Sequence, residues 1–398
     1  MESAAATVAP LHVTRAQPRA GLVLTGGGAR AAYQVGVVKA VRDILGGPVK
    51  NPFPILCGTS AGAVNAATLA VFADDFRGAV GNLLEVWEHM HCHHIYRTDA
   101  WSIVKSGARW LSALMLVSRR NPVSLLDNAP LAEMLSRTLD FRRIARNIES
   151  GALYAACVTA SGYSSGQSVS FFQGMPGLQG WERNQRIGAA VDLKLEYLLA
   201  SAALPFLFPA VKVHREYFGD GSMRQIAPVS PALHLGADRV LIVGTGRQSA
   251  GPKTDARTRS TVYPSLAQIA GHALNSIFLD TLMVDIERLE RINRTVRLIP
   301  RERVPDSSLR PIRVLFIAPS QPIERIAARF LHELPWTVRF ILTPTGALNR
   351  SGSNLASYLL FEQSFCRALI DLGYQDTISR DAEVREFFEG PEERASHV

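Results

Sequence analysis

The 398-residue sequence has few cysteines, and none of them has the spacing of a metal or redox motif. The four cysteines are Cys57, Cys92, Cys157 and Cys366. They contain no C-x-x-C pair, which argues against zinc knuckles and thioredoxin-like sites, and they are too few for a disulfide scaffold. Cys57 and Cys157 lie in apolar, strand-like runs, so we expect buried, reduced thiols in a cytoplasmic protein.

Long hydrophobic runs and internal repeats are also missing. No stretch reaches the ~18 consecutive apolar residues that a membrane-spanning helix needs. The N-terminal segment MESAAATVAPLHVTRAQPRA lacks a charged start followed by a long apolar stretch, so we expect no secretory signal. Any contact with a membrane is therefore expected to be peripheral.

The composition favours a folded, basic protein. Hydrophobic residues make up 47% and charged residues 20% of the chain, which supports a sizeable core and argues against wholesale disorder. The formal net charge is +8, which would favour attraction to anionic phospholipid or to nucleic acid. The basic residues are dispersed, however, and ordinary solubility is the simpler interpretation, so we predict no nucleic-acid partner.

The first 72 residues contain two strand-turn-helix units, the pattern of a parallel α/β sheet. The predicted strands are 21–24 and 54–57, and the predicted helices are 29–45 and 61–72. Further along, residues 83–150 read as mostly helical. The remaining predictions are strands at 153–159, 168–173, 240–243 and 313–317, a strand ending near Val213, a turn at 218–222, a polar loop at 247–262 and a long helix at 264–292.

A G-x-S-x-G motif, Gly58-Thr59-Ser60-Ala61-Gly62, joins the second strand to its helix. This spacing suits a nucleophilic serine on a cramped turn, because glycines two residues to either side remove Cβ clashes. Ser60 would then lie at a helix N-terminus, where unpaired N–H groups and the helix dipole favour negative charge. The competing interpretation is a serine that only caps the helix.

A glycine loop, Gly26-Gly27-Gly28-Ala29-Arg30, follows the first strand. Its backbone N–H groups could receive a phosphate or the oxyanion formed in acyl transfer. The loop also fits a relaxed dinucleotide-binding pattern, but Asp43, the nearest acidic residue, falls near the helix end, which is the wrong place for a ribose contact. The neighbouring serine turn favours the oxyanion interpretation.

A serine nucleophile needs a proton acceptor, and no histidine stands out for that role. His214, His234 and His272 are isolated in the sequence. Asp220 differs because Gly219 and Gly221 flank it, as though the backbone were shaped to present its carboxylate. An ordinary Asp-Gly turn explains the same pattern, and the residues alone do not decide between the two.

Together these motifs resemble the patatin-like phospholipase family. The resemblance rests on GGGAR and GTSAG after strands, SAALPFLFP, and the later FGDGS, and it covers about residues 21–243. It implies a three-layer α/β sandwich with a mostly parallel sheet. It also implies a catalytic domain at 20–245 and a mainly helical C-terminal extension at 246–398 packed on it. The small, polar residues of 1–19 predict a flexible arm.

The resemblance further implies roles for individual residues. Ser60 would be the nucleophile and Asp220 the base of a Ser–Asp dyad, without metal or cofactor. The oxyanion hole would be built by Gly26, Gly27, Gly28 and Arg30, and the nucleophile turn would be framed by Gly58 and Gly62. The implied activity is cleavage of fatty-acyl esters in phospholipids or related lipids. Ser222 follows Asp-Gly where the family often has glycine or alanine.

Two other segments are candidate sites. His89 and His93 in the run HMHCHH would share a helix face, as in some zinc sites, but no acidic residue in the run supplies a third ligand. The segment Trp101–Arg120 is basic and amphipathic, so it suits an anionic membrane surface, a lid or ordinary core packing.

Two alternative functions remain open at this point. One is a Ser–His–Asp esterase that acts on small soluble esters, for which one histidine would be essential. The other is a membrane-associated lipid-binding protein without turnover. The presence of both Ser60 and Asp220 argues against the second alternative.

Overall fold

The structure is a computed structural model that describes residues 18–99, 124–246, 263, 265–277, 281–299, 309–349 and 352–389. Its centre is a ten-stranded sheet. The strands are β1 (Ala20–Leu24), β2 (Ile55–Thr59), β3 (Ala155–Gly162), β4 (Ser168–Gly174), β5 (Trp181–Arg183), β6 (Arg186–Ala190), β7 (Val211–Val213), β8 (Glu216–Asp220), β9 (Arg239–Val243) and β10 (Arg313–Ile317).

The sheet is mostly parallel around its centre. The order is β10-β9-β1-β2-β3-β4-β6-β5, and the first four neighbouring pairs are parallel. β4 pairs antiparallel with β3, and β8 pairs antiparallel with the last residues of β3. The carboxyl ends of β1 and β2 therefore lie side by side, as expected for neighbouring parallel strands.

Alternate residues of the central strands pack into two separate apolar layers, as the period of two in a β-strand requires. Leu22 is in register with Leu56 and Leu241, and all three enter the larger core. Val23 is in register with Cys57, and both enter the smaller core on the other face. The sheet is thus buried on both sides, which makes a three-layer α/β sandwich.

Helices cover both faces of the sheet. They are α1 (Ala32–Ile44), α2 (Ala61–Val71), α3 (Phe76–Glu88), α4 (Cys92–Ile95), α5 (Ala129–Thr138), α6 (Arg142–Glu149), α7 (Leu195–Ser201), α8 (Ser230–His234), α9 (Leu266–Asn275), α10 (Thr281–Arg297), α11 (Ile323–Phe330), α12 (Trp336–Leu342), α13 (Ser353–Leu359), α14 (Gln363–Ile378) and α15 (Asp381–Glu389). α8 and α10 contribute to the smaller core, and α1 to α3 contribute to the larger one.

The residues after 246 contribute one strand and several helices that pack on the rest of the chain. β10 extends the sheet next to β9. Buried α14 residues such as Phe365 and Leu369 belong to the same core as α1. The hydroxyl of Tyr33 in α1 donates a hydrogen bond to Asp376 of α14 at 3.0 Å.

The mixed α/β fold with a large, mostly parallel sheet is confirmed, and so is the strand 313–317. Within the helix predicted over 264–292, the structure has α9 and α10, and residues 278–280 between them lie outside the described residues. The turn predicted at 218–222 is instead the end of β8 followed by a short 3-10 helix. The polar loop 247–262 and the segment Trp101–Arg120 lie outside the described residues.

The structure also tests the expectations for the cysteines and for membrane-spanning helices. All four cysteines are buried and unpaired, as expected. Hydrogen bonding to Cys157, together with burial, raises the pKa of Cys57 well above its usual range. Within the part of the chain that the structure describes, no helix combines the length and apolarity needed to cross a bilayer.

Candidate active site

Ser60 lies in a strained turn between β2 and α2. Its backbone has φ 55° and ψ −130°, a conformation that non-glycine residues rarely adopt and that is typical of functional sites. A Cβ on Gly58 would approach the Cα of Ala63 to 2.5 Å, and a Cβ on Gly62 would approach the carbonyl of Thr25 equally closely. The two glycines therefore let the turn pack tightly, as their spacing predicted. The Ser60 side chain does not cap α2, which argues against a purely structural serine.

Ser201 fixes the backbone of this turn from a distant part of the chain. The amide of Ser60 donates a hydrogen bond to the Ser201 hydroxyl at 2.8 Å. That hydroxyl in turn donates to the carbonyl of Thr159 at 2.6 Å. Ser201 is completely buried, so the chain of bonds ties the serine turn to β3 without competition from water.

The sheet register brings Asp220 next to the serine turn. Thr59, the last residue of β2, is in register with Thr159 of β3. The next residue of β3, Ala160, is paired with Asp220 of β8. β8 thus occupies the position along β3 where β2 has ended, and Asp220 comes to the point where the chain turns into Ser60.

Asp220 is a completely buried carboxylate with unequal oxygens. Oδ1 accepts a hydrogen bond from the amide of Ser222 at 2.9 Å, as in an ordinary Asx turn. Oδ2 is buried and has no hydrogen-bond partner among the described residues. An Asx turn uses only Oδ1, and burying Oδ2 without a partner destabilises the fold. A structural turn alone therefore does not explain why Oδ2 is buried.

Burial raises the pKa of Asp220 from 3.8 to about 6, because the ionised form is poorly solvated. Interaction with the Ser60 side chain opposes this rise, followed by hydrogen bonding from Ser222. The Ser60 hydroxyl therefore lies close enough to the Asp220 carboxyl group to lower its pKa. It does not form a hydrogen bond with Oδ2. A carboxyl with a pKa near 6 is a better proton acceptor at neutral pH than an ordinary aspartate.

The glycine loop lies beside the same site. Gly28 has φ +54°, and a Cβ there would collide with the carbonyl of Tyr358, so no other residue fits this close approach. No described group accepts a hydrogen bond from the amides of Gly27 and Gly28. The carbonyl of Gly26 accepts from the Thr245 hydroxyl at 2.6 Å, which holds the loop against the end of β9.

A buried polar network supports the loop from α1, α2 and α3. Gln34 donates to the carbonyl of Thr25 at 2.7 Å, and Asn65 donates to Gln34 at 3.0 Å. Trp87 then donates to Asn65 at 2.8 Å. Sequence reasoning missed these residues and Ser201. The sequence did offer one indication of the network. Gln34 and Asn65 are each the one amide side chain in an apolar stretch, YQVGVV and AVNAATLAV, and a buried amide needs hydrogen-bond partners.

The Arg30 side chain binds residues of the C-terminal helices. Its Nε donates to Ser357 at 2.8 Å, and its Nη groups donate to Asn354 and Asn275. The guanidinium lies 3.9 Å from the centre of the Tyr358 ring. Arg30, which is 2% exposed, thus fastens the glycine loop to α9 and α13.

Ser60 and Gly28 line an apolar cavity of about 480 Å³. α5 contributes Leu131, Met134, Leu135 and Thr138, which recur at helical spacing on one face. The other walls include Val64, Phe72, Leu83, Val86 and Trp87, and from the C-terminal region Tyr358, Leu359 and Phe361. A cavity of this size and apolarity suits a hydrocarbon chain better than a polar small molecule.

The candidate histidines lie elsewhere. The His214 ring is 3.4 Å from the Tyr197 hydroxyl, the His234 ring stacks on Trp181 at 4.7 Å, and His272 lies on α9. No histidine of the described ranges lines the cavity or hydrogen-bonds Ser60 or Asp220.

The prediction that His89 and His93 share a helix face was wrong. α3 ends at Glu88, and α4 begins only at Cys92, because the chain bends at this point. His91 instead pairs with Glu362 at 2.8 Å. No group of three or more metal-binding side chains occurs in the described part of the chain.

Comparison with known proteins identifies the family. The family model described as patatin-like phospholipase matches residues 22–233, which is more than half of the chain. The chain therefore belongs to the patatin-like phospholipase family.

Two curated relatives carry related descriptions. A cGAMP-activated phospholipase of Pseudomonas aeruginosa is 29% identical over 213 residues, which cover 54% of this chain and 55% of the relative. A cUMP-AMP-activated phospholipase of Escherichia coli is 44% identical over 50 residues, which cover 13% of this chain and 16% of the relative. The chain thus spans about half or less of the length of these relatives.

Two solved structures show low similarity. VipD from Legionella pneumophila has a TM-score of 0.31 and 13% identity, with 86% of this chain and 67% of that chain covered. Human GIVD cytosolic phospholipase A2, in complex with methyl gamma-linolenyl fluorophosphonate, has a TM-score of 0.40 and 13% identity, with 94% and 59% covered.

Proposed function

We propose that the chain is a serine acyl hydrolase that cleaves fatty-acyl ester bonds of phospholipids or related lipids. The observation that supports this most strongly is the buried Asp220 carboxyl, with one unpartnered oxygen and a raised pKa, beside a strained serine that lines an apolar cavity. Membership of the patatin-like phospholipase family supports the choice of a lipid ester.

In the proposed first half-reaction, Asp220 accepts the proton of the Ser60 hydroxyl while Oγ attacks the ester carbonyl. The amides of Gly27 and Gly28 hold the oxyanion of the tetrahedral intermediate, with the rest of the loop supporting them. As the intermediate collapses, the leaving alcohol takes the proton from Asp220. An acyl-enzyme on Ser60 remains.

In the second half-reaction, Asp220 accepts a proton from water as the water oxygen attacks the acyl-enzyme. Collapse of the second intermediate returns that proton to Ser60 and releases the fatty acid. Residues of the chain supply every proton transfer in this scheme, so it requires no cofactor or metal. The acyl chain occupies the apolar cavity throughout, where burial of each methylene contributes ~0.8 kcal/mol.

We also propose separate roles for the two parts of the chain. Residues 20–245 form the catalytic unit, and the extension 246–398 completes its wall. Tyr358, Leu359 and Phe361 line the cavity, and Arg30 binds the extension through Ser357. Removal of the extension should therefore expose the cavity and release the glycine loop.

A panel of defined phospholipids, lysophospholipids and neutral acyl esters, with products identified by mass spectrometry, tests the proposal. Wild-type protein should release free fatty acid, and Ser60→Ala and Asp220→Asn should not. Because both curated relatives are named as nucleotide-activated, each assay is run with and without cGAMP and cUMP-AMP. Absence of hydrolysis under every condition, in a folded protein, would favour a lipid-binding protein without turnover.

A further inference from the structure

Phe206 occupies an unusual backbone position at the surface. Leu204–Leu207 form a turn closed by a hydrogen bond from the amide of Leu207 to the carbonyl of Leu204 at 3.1 Å. Pro205 is the second residue of the turn, and Phe206 is the third, with φ +66°. Glycine or asparagine is the usual residue at a positive φ in this position, and a bulky aromatic is strained there.

The strain at Phe206 has no compensation from burial, because the side chain is 78% exposed. Strained residues are found mostly where the strained conformation serves a function. Because the Phe206 side chain does not pack in the core, we look for that function at the protein surface. Leu204 and Phe208, two positions before and after Phe206, both line the cavity that contains Ser60. Phe206 therefore projects into solvent at the rim of the cavity.

α12 presents a second exposed aromatic surface. Trp336 and Phe340 lie one turn apart on this helix and are 69% and 74% exposed. Arg339, also exposed, lies between them, while Val338 and Leu342 bury the opposite face. Two aromatic rings flanking a guanidinium form the side-chain pattern of a helix at a lipid interface, where rings enter the headgroup region and arginine reaches phosphate.

Hydrogen bonds connect these two features. The Thr337 hydroxyl of α12 donates to the carbonyl of Thr98 at 2.7 Å, and the amide of Arg97 donates to the carbonyl of Asp127 at 2.8 Å. Two residues earlier, the amide of Leu125 donates to the carbonyl of Phe206 at 2.8 Å. Residues 97–98 and 125–127 therefore connect α12 to the turn at the rim of the cavity.

We propose that Phe206, Trp336, Arg339 and Phe340 form a docking surface for an anionic lipid bilayer. We call these four residues the aromatic docking surface. The inference rests on the proposed lipid hydrolase function, because a long-chain lipid must leave a bilayer to enter the cavity. The choice of a bilayer over a protein partner rests on the exposed Arg339 between the rings and on the formal net charge of +8.

Binding is measured by sedimentation with phosphatidylcholine vesicles that contain or lack phosphatidylglycerol. Every protein carries Ser60→Ala, so binding is measured without hydrolysis. Phe206→Gly and the double variant Trp336→Ala/Phe340→Ala should each weaken binding to the anionic vesicles about tenfold or more, since each loses a large apolar side chain from the interface. Arg339→Glu should weaken binding only where phosphatidylglycerol is present.

Leu298→Ala is the matched control. Leu298 is 83% exposed and follows α10, a helix that covers the other face of the sheet. Its removal should leave vesicle binding unchanged. Phe206→Gly should keep the thermal midpoint near that of wild type, because relief of the positive φ offsets the entropy that glycine adds to the unfolded chain. A loss of binding then cannot be attributed to misfolding.

Turnover on a short-chain soluble ester, with Ser60 restored, separates this inference from the proposed function. The docking variants should keep wild-type turnover on that ester and lose it on vesicles. Wild-type protein inactive on every ester but bound to vesicles through these residues would reject the hydrolase and retain the docking surface. Two results would overturn the docking surface. One is unchanged vesicle binding in both aromatic variants. The other is a wild-type protein that is a dimer in solution and that these variants convert to a monomer.

Discussion

Replacing Asp220 by asparagine should stabilise the folded protein and abolish its turnover. The folded protein buries the carboxyl completely, and burial raises its pKa from 3.8 to about 6. A rise of this size corresponds to about 3 kcal/mol that the ionised carboxylate costs the fold at neutral pH. Asparagine can keep the hydrogen bond from the amide of Ser222 without carrying the charge.

The pH dependence fixes the sign of this effect. Between pH 3.8 and about 6 the folded state retains the Asp220 proton, whereas the unfolded state has released it. The unfolded state then binds fewer protons, so the contribution of Asp220 to stability falls as pH rises through this window. The stability of Asp220→Asn relative to wild type should therefore rise from acid to neutral pH and become constant above about pH 7.

Denaturant unfolding of both proteins between pH 4 and pH 8 measures the difference. Asp285→Asn serves as the matched control, because Asp285 is also buried, caps the amide of Val229 at 3.0 Å, and has a pKa raised by burial. The stability of Asp285→Asn relative to wild type should also rise from acid to neutral pH, but this variant should keep full turnover. If Asp220→Asn is less stable than wild type at pH 8, the reasoning about the buried carboxylate is refuted.

Three further predictions concern the walls of the site. Ser201→Ala leaves the amide of Ser60 without its acceptor, so the protein should lose about 1–3 kcal/mol in chemical denaturation, and turnover should fall while Ser60 remains reactive. Gly28→Ala places a methyl group against the carbonyl of Tyr358 and should lower kcat about 10²–10³-fold on a soluble ester, with little change in KM. Met134→Trp fills part of the cavity, so kcat/KM should fall about fourfold for each methylene excluded from long-chain esters and stay constant for a butyrate ester.

Much of the site was predictable because its chemistry depends on short, local motifs. The turn around Ser60 needs small residues at fixed spacing, and Gly58 and Gly62 stand where the packing allows nothing larger. The parallel order of β1 and β2 follows from two strand-turn-helix units, which bring the glycine loop and the serine turn to one edge. For Asp220, family resemblance rather than the residues themselves decided between a base and a plain turn.

The rest depends on contacts between distant parts of the chain. Ser201 lies 141 positions from Ser60, and its hydrogen bond to the Ser60 amide leaves no local pattern. Arg30 reaches Asn354 across more than 300 residues, so its side chain could not be placed from the glycine motif alone.

Labelling with a fluorophosphonate probe tests the central claim most directly. At pH 7.5 we expect a single covalent adduct, mapped by mass spectrometry to Ser60. Its rate of formation should fall with acidification through an apparent pKa near 6. Ser60→Ala should carry no adduct, and Asp220→Asn should react at least 10²-fold more slowly, as expected for loss of a general base. An adduct on another residue, or an unchanged rate in Asp220→Asn, would contradict the assignment of Ser60 and Asp220.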